Sequence, residues 1–191
     1  MKKKTLLLVP DYSMLSDLLD GKLDVEIIGL DPMDRNDAFS PWATVIPSLK
    51  GEGNFGGHAE AFLEHVFSTL PENRELGILG LSLGALFGVY ATIRKPVFSF
   101  CASISGSFWY PGWTDWLRCQ DKSRTAYFFC SGQDEGRGRK DALKDSRSAT
   151  DFTSSYLGGT YVTDEKGHMS YLKERTEECL SWIRNRLVMS N

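Results

Sequence analysis

Long apolar runs are absent from this sequence. No stretch approaches the roughly 18 uncharged apolar residues that a membrane-spanning helix needs, so a soluble protein with no membrane partner is expected. The apolar residues 6–9 follow Lys2, Lys3 and Lys4, but Pro10 and Asp11 stop the run well short of the apolar region of a secretory leader. It reads as a first strand. Cysteine is scarce and scattered: Cys101, Cys119, Cys130 and Cys179 form no C-x-x-C pair, which together with the missing leader points to free thiols and a cytoplasmic location. An excess of one charge is also missing. With 22 basic and 25 acidic residues the formal net charge is −3, which leaves no field to attract nucleic acid or an anionic membrane. Histidine occurs three times, and His58 and His65 lack further ligands at metal-binding spacing, so neither a metal nor a cofactor is expected.

What is present is the mixture of a compact enzyme. The 41% hydrophobic and 25% charged residues, without low-complexity runs or a fixed-period repeat, are enough to bury a core as one domain over residues 1–191. Apolar runs bounded by turn residues predict strands at 5–9, 25–30, 76–81, 98–104, 126–131 and 160–163. Helical spacing predicts helices over 57–70, 82–94 and 171–188, the second apolar almost all round and the third amphipathic. Residues 133–151 read as a loop running into an exposed helix. Alternation of this kind implies an α/β fold, a mostly parallel sheet of about six strands with helices on both faces and chemistry at the carboxyl ends of the strands.

The sharpest motif is Gly80-Leu81-Ser82-Leu83-Gly84, a G-x-S-x-G lying between a predicted apolar strand and a predicted apolar helix. That context is what a nucleophile elbow requires: a strained turn lifts the serine above the sheet, and small residues on either side let the backbones approach. The helix start also places the Leu83 amide where it can donate to an oxyanion. A serine hydroxyl needs a base. His168, in Gly167-His168 after the last predicted strand, stands where the chain order serine, acid, histidine requires it, whereas His58 and His65 precede the serine on or near one helix.

The acid is expected after the strand at 126–131, where Gly132-Gln133-Asp134-Glu135 offers two adjacent carboxylates. Only one can face the histidine; Glu135 is preferred and Asp134 is the alternative. On the same rim, Ser107-Phe108-Trp109-Tyr110-Pro111-Gly112-Trp113 either lines an apolar acyl or alcohol pocket, through Phe108, Trp109 and Tyr110, or plugs the core beneath a loop. A G-x-G-x-x-G at 51–56 is a decoy, because Pro47, Ser48, Leu49 and Lys50 precede it instead of a buried strand.

The elbow with Ala85-Leu86-Phe87, then Ser103-Ile104-Ser105-Gly106-Ser107-Phe108-Trp109, Gly132-Gln133-Asp134-Glu135 and Gly167-His168, resembles the esterase family of α/β-hydrolases that includes enterochelin esterase-like and esterase D-like proteins. Ser40-Pro41-Trp42 and Phe55-Gly56-Gly57 share in the resemblance, which covers most of the chain from about residue 40. It implies a compact α/β-hydrolase fold and hydrolysis of a small-molecule carboxylic ester, with Ser82 as nucleophile, His168 as base and the acid on Glu135. Acyl transfer by the same triad, or a non-catalytic binding protein on the same fold, are the alternatives. The family's histidine-glycine oxyanion loop is missing, which directs attention to the backbone near Asp11 and Tyr12 for the second oxyanion donor.

Overall fold

The computed structural model describes residues 4–49 and 53–189. In chain order the elements are β1 (Thr5–Pro10), α1 (Tyr12–Leu19), β2 (Glu26–Leu30), α2 (Arg35–Ala38), β3 (Thr44–Val45), β4 (Asn54–Phe55), α3 (Ala59–Thr69), β5 (Glu75–Leu81), α4 (Leu83–Arg94), β6 (Phe98–Ile104), α5 (Trp113–Arg118), β7 (Ala126–Gly132), α6 (Ser146–Leu157), β8 (Thr160–Asp164) and α7 (Leu172–Met189). Six strands form one sheet in the order β2-β1-β5-β6-β7-β8, and every pairing in it is parallel. The chain winds outward from β1 to β2, then returns to lay β5 on the opposite side of β1. That reversal opens a crevice beyond the carboxyl ends of β1 and β5, the usual place for a site in a parallel sheet.

Strand periodicity divides the core in two. Leu6, Leu8, Ile78, Cys101, Tyr127 and Phe129 face a layer built from α2 to α6, whereas Leu7, Val9, Leu79, Phe100, Ala102 and Phe128 face α1 and α7. Both faces of the sheet are therefore covered, which is why its central strands are continuously apolar. Helix α4 contributes Leu83, Leu86, Phe87, Val89, Tyr90 and Ala91 to the first layer, so its near-uniform apolarity reflects burial. Among the described residues, no helix is long and apolar enough to cross a membrane.

Helix α6 corrects the expectation of an exposed helix after a charged loop. Ser146, Ala149, Thr150, Thr153, Ser154 and Leu157 are buried along one side of it. Hydroxyl groups enter the core there because each finds a nearby main-chain carbonyl: Thr150 Oγ1 donates to the Ser146 carbonyl at 2.8 Å, Thr153 Oγ1 to that of Ala149 at 2.7 Å and Ser146 Oγ to that of Leu143, just before the helix, at 2.6 Å. The decoy glycines also find an explanation. Gly53 to Gly56 run through β4, which pairs antiparallel with β3 as a two-stranded ribbon outside the main sheet, and Gly51 and Glu52 lie outside the described residues.

Candidate active site

Ser82 joins β5 to α4 with φ 54° and ψ −116°, a conformation that a residue with a Cβ adopts only under constraint. The backbone supplies that constraint. The Ser82 N–H donates to the Ile104 carbonyl at 2.9 Å, and the Ser82 carbonyl accepts from the amides of Ala85, Leu86 and Ser107 at 3.1, 3.2 and 3.0 Å. The flanking glycines are equally specific. A Cβ on Gly80 would stand 2.4 Å from the Gly84 carbonyl oxygen, and one on Gly84 would stand 2.9 Å from Pro10 Cβ. Strand and helix can cross this closely only without those side chains.

His168 lies on the loop between β8 and α7 and turns its ring to the elbow. Its Nε2 is 3.0 Å from Ser82 Oγ, and its Nδ1 is 2.9 Å from Glu135 Oε2. Glu135 follows β7 and is buried, its other carboxylate oxygen accepting from the Gly132 amide at 2.8 Å and from Arg175 Nη1 at 3.0 Å. Three side chains from the loops after β5, β7 and β8 thus form one chain of polar contacts. The Ser107 hydroxyl, on the loop after β6, lies 3.2 Å from Ser82 Oγ.

Asp134 is not in this group: its exposed carboxylate pairs with Arg137 at 2.9 Å. The aromatic loop also divides. Phe108 and Tyr110 are core residues, Phe108 packing against Trp113 and Phe129 and Tyr110 donating its hydroxyl proton to the Trp42 carbonyl at 2.6 Å. Trp109 is partly exposed and, with Pro111, Arg118, Ser148 and Phe152, lines a groove of about 380 Å³ whose lining also includes the inner pair. Leu83 is buried as the first residue of α4, so its amide has no intrahelical acceptor. The Asp11 amide is spent on the Leu30 carbonyl at 3.0 Å, which removes it as an oxyanion donor. The amide of Tyr12, which opens α1, has no acceptor among the described residues. The Asp11 carboxylate reaches the elbow, 3.0 Å from where a Gly84 Cβ would be, and is matched by Arg35 at 2.8 and 2.6 Å.

Sequence reasoning missed Arg175. It lies in the first turns of α7 among Lys173, Glu174 and Glu177, residues that read as a solvated face, yet its guanidinium is almost wholly buried. Burial pulls its pKa down, but the carboxylates of Asp164 and Glu135 outweigh this and hold it above the ordinary value. Hydrogen bonding from Arg175 in turn keeps the Asp164 carboxyl below its ordinary value.

No family model matches the chain. Over 183 residues it is 27% identical to YbbA, an uncharacterized protein of Bacillus subtilis (strain 168), covering 84% of this chain and 73% of that protein. Among solved structures, the siderophore hydrolase EstA from Aspergillus nidulans matches with a TM-score of 0.71 at 16% identity, over 100% of this chain and 84% of that one. Acyl-protein thioesterase 2 from Zea mays matches with a TM-score of 0.61 at 16% identity, over 98% of this chain and 95% of its own. The likeness is one of fold: the chain has a compact α/β-hydrolase fold.

Proposed function

We propose that the protein is a serine hydrolase that cleaves a small-molecule carboxylic ester through an acyl-Ser82 intermediate. The observation that carries this reading is the unbroken contact chain from Ser82 Oγ through the His168 ring to the buried Glu135 carboxylate. In the acylation step Ser82 Oγ bonds to the ester carbonyl carbon while its proton passes to His168 Nε2. Glu135 stabilises the imidazolium that results and fixes its Nδ1–H tautomer. Negative charge gathers on the carbonyl oxygen, facing the Leu83 amide and, as second donor, that of Tyr12. Collapse breaks the bond to the alcohol oxygen, which leaves with the proton from His168. Water then repeats the sequence: His168 takes its proton, its oxygen bonds to the acyl carbon, and the acid departs as Ser82 regains its proton.

The groove beside Trp109 is not lined by Ser82, Glu135 or His168, but it starts at Phe108, next to Ser107 in the chain, and Trp109, Pro111 and Phe152 give it an apolar side for an acyl chain or alcohol. The names of the structural neighbours, a siderophore hydrolase and an acyl-protein thioesterase, agree with hydrolysis of an acyl bond. Incubation with a fluorophosphonate probe and with p-nitrophenyl esters of increasing chain length tests the proposal. Wild type is expected to label and to turn over at least one ester, and Ser82→Ala to do neither while its circular dichroism is unchanged. Labelling that persists in Ser82→Ala would place the nucleophile elsewhere.

A further inference from the structure

Arg175 spends its guanidinium on groups around the histidine loop. Nε and Nη2 grip the two Asp164 oxygens at 2.6 and 2.9 Å, and Nη2 also donates to the Gly167 carbonyl at 3.0 Å. Nη1 shares its two protons among three acceptors, Glu135 Oε1 at 3.0 Å, the His168 carbonyl at 2.8 Å and Ser105 Oγ at 2.7 Å. One buried cation therefore touches the carboxylate, the main chain of the histidine and the end of β8. Its pairing is unequal: Asp164 takes the two-pronged contact, and Glu135 receives a single N–H on the oxygen turned away from His168.

This asymmetry has an electrostatic consequence. Two carboxylates and one guanidinium leave one net negative charge, and Glu135 Oε2, the oxygen Arg175 does not touch, presents it to His168 Nδ1. Resting on the triad reading above, we propose that Arg175 is a positioning residue that locks the histidine loop onto Glu135, and that Asp164 is the counter-charge which keeps Arg175 from neutralising Glu135. Other charged or titratable groups around the ring are accounted for. Asp134 and Arg137 pair with each other on the Glu135 loop, Lys166 lies over the Tyr171 ring, and Asp11 is matched by Arg35 beside the elbow. Tyr161 from β8 is bound through its hydroxyl to Ser131, and Cys130 contacts the Arg175 carbonyl and Cys179.

The test separates charge from scaffolding. His168 acts as a base only when neutral, so the acid limb of the labelling rate follows its protonation. Removing the cation with Arg175→Gln strengthens the anion facing the imidazolium and moves the limb to higher pH. Asp164→Asn leaves the cation uncompensated and moves the limb to lower pH, each shift being about one pH unit. Arg175→Lys keeps the charge but loses the fork, so the limb stays near its wild-type position while the plateau rate falls about tenfold or more. Fluorophosphonate labelling rates from pH 5 to 9 read the limb, and ring-nitrogen NMR titration of His168 in a Ser82→Ala background reads the same protonation without any catalysis. Opposite shifts for the two neutral substitutions support the proposal. Wild-type midpoints in both, with only the plateau lowered, or shifts in the same direction, overturn it. Should Arg175→Gln not fold, Asp164→Asn decides alone, since its side chain is about a quarter exposed and its downward shift has no scaffolding explanation. Failure of the triad reading would show separately, as labelling that survives Ser82→Ala.

Discussion

The hydroxyls of Ser82 and Ser107 stand 3.2 Å apart, and the Ser107 amide donates to the Ser82 carbonyl. If Ser82 gives its single proton to His168 Nε2, Ser107 must be the donor in the hydroxyl pair. A donor aimed at the nucleophilic oxygen fixes its rotamer and stabilises the negative charge that grows on it as the proton leaves. Ser107→Ala is therefore expected to lower kcat for an activated ester about tenfold with little change in KM. An unchanged or faster turnover would mean that this contact steadies only the resting hydroxyl.

The carboxylate pair on the β7 loop makes a sharper comparison. Glu135 is buried against His168, Gly132 and Arg175, whereas Asp134 faces solvent with Arg137. Glu135→Gln keeps the volume but removes the anion that stabilises the imidazolium, and turnover should fall by orders of magnitude with KM nearly constant. Asp134→Asn should stay within about twofold of wild type, because an exposed ion pair contributes little. Parallel kinetics of the two variants on one ester check this, and the reverse ranking would move the acid to Asp134.

Much of this arrangement is legible in the chain before folding. A G-x-S-x-G between an apolar strand and an apolar helix, a carboxylate after the next strand but one, and a histidine after the last strand carry the candidate triad. The strand ends coincide within a residue or so because Pro10, Ser82, Gly132 and Glu165 stand just at or beyond them. Arg175 is hidden for a physical reason: periodicity reports which face of a helix is apolar, and a charged residue buried by partners from β7, β8 and the histidine loop has no local signature. Helix α6 is hidden differently, since a buried face of Ser, Thr and Ala has the hydropathy of a solvated one. The short β3–β4 ribbon and α1 fall below the length at which alternation or helical spacing can be told from chance.

Gly132 gives a prediction that links backbone to chemistry. A Cβ there would stand 1.7 Å from the Lys166 carbonyl oxygen and 2.5 Å from Arg175 Nη2, so the strand end, the histidine loop and the guanidinium meet where only hydrogen fits. The Gly132 amide also donates to Glu135 Oε1. Gly132→Ala must push that loop outward, lengthening the contacts that hold His168 near Glu135 and Ser82. Labelling is expected to slow about 100-fold or more, as misplacement of about 1 Å costs catalytic groups, while the sheet itself stays folded. Rapid labelling in a folded Gly132→Ala protein would show that the loop has more freedom than these distances allow.

The aromatic loop supplies a pH dependence of stability that does not involve His168. Burial pushes the Tyr110 hydroxyl up to about 12, and its proton is held by the Trp42 carbonyl at 2.6 Å. A pKa raised in the folded state adds stability that is fully present below the unfolded value near 10 and is lost as pH rises from there through the folded value. Burial likewise raises Tyr90, Tyr127 and Tyr161, with Glu60 adding to the effect at Tyr90. Urea unfolding should therefore show wild type losing stability between about pH 10 and pH 12, Tyr110 accounting for about 2 kcal/mol of the fall. Tyr110→Phe removes both the titration and the hydrogen bond, so it should be less stable than wild type by about 1 kcal/mol at pH 8. At pH 12 the deficit should vanish or reverse. A constant gap between the two proteins across this range would show that Tyr110 is solvated before it ionises, and that the loop opens without unfolding the sheet.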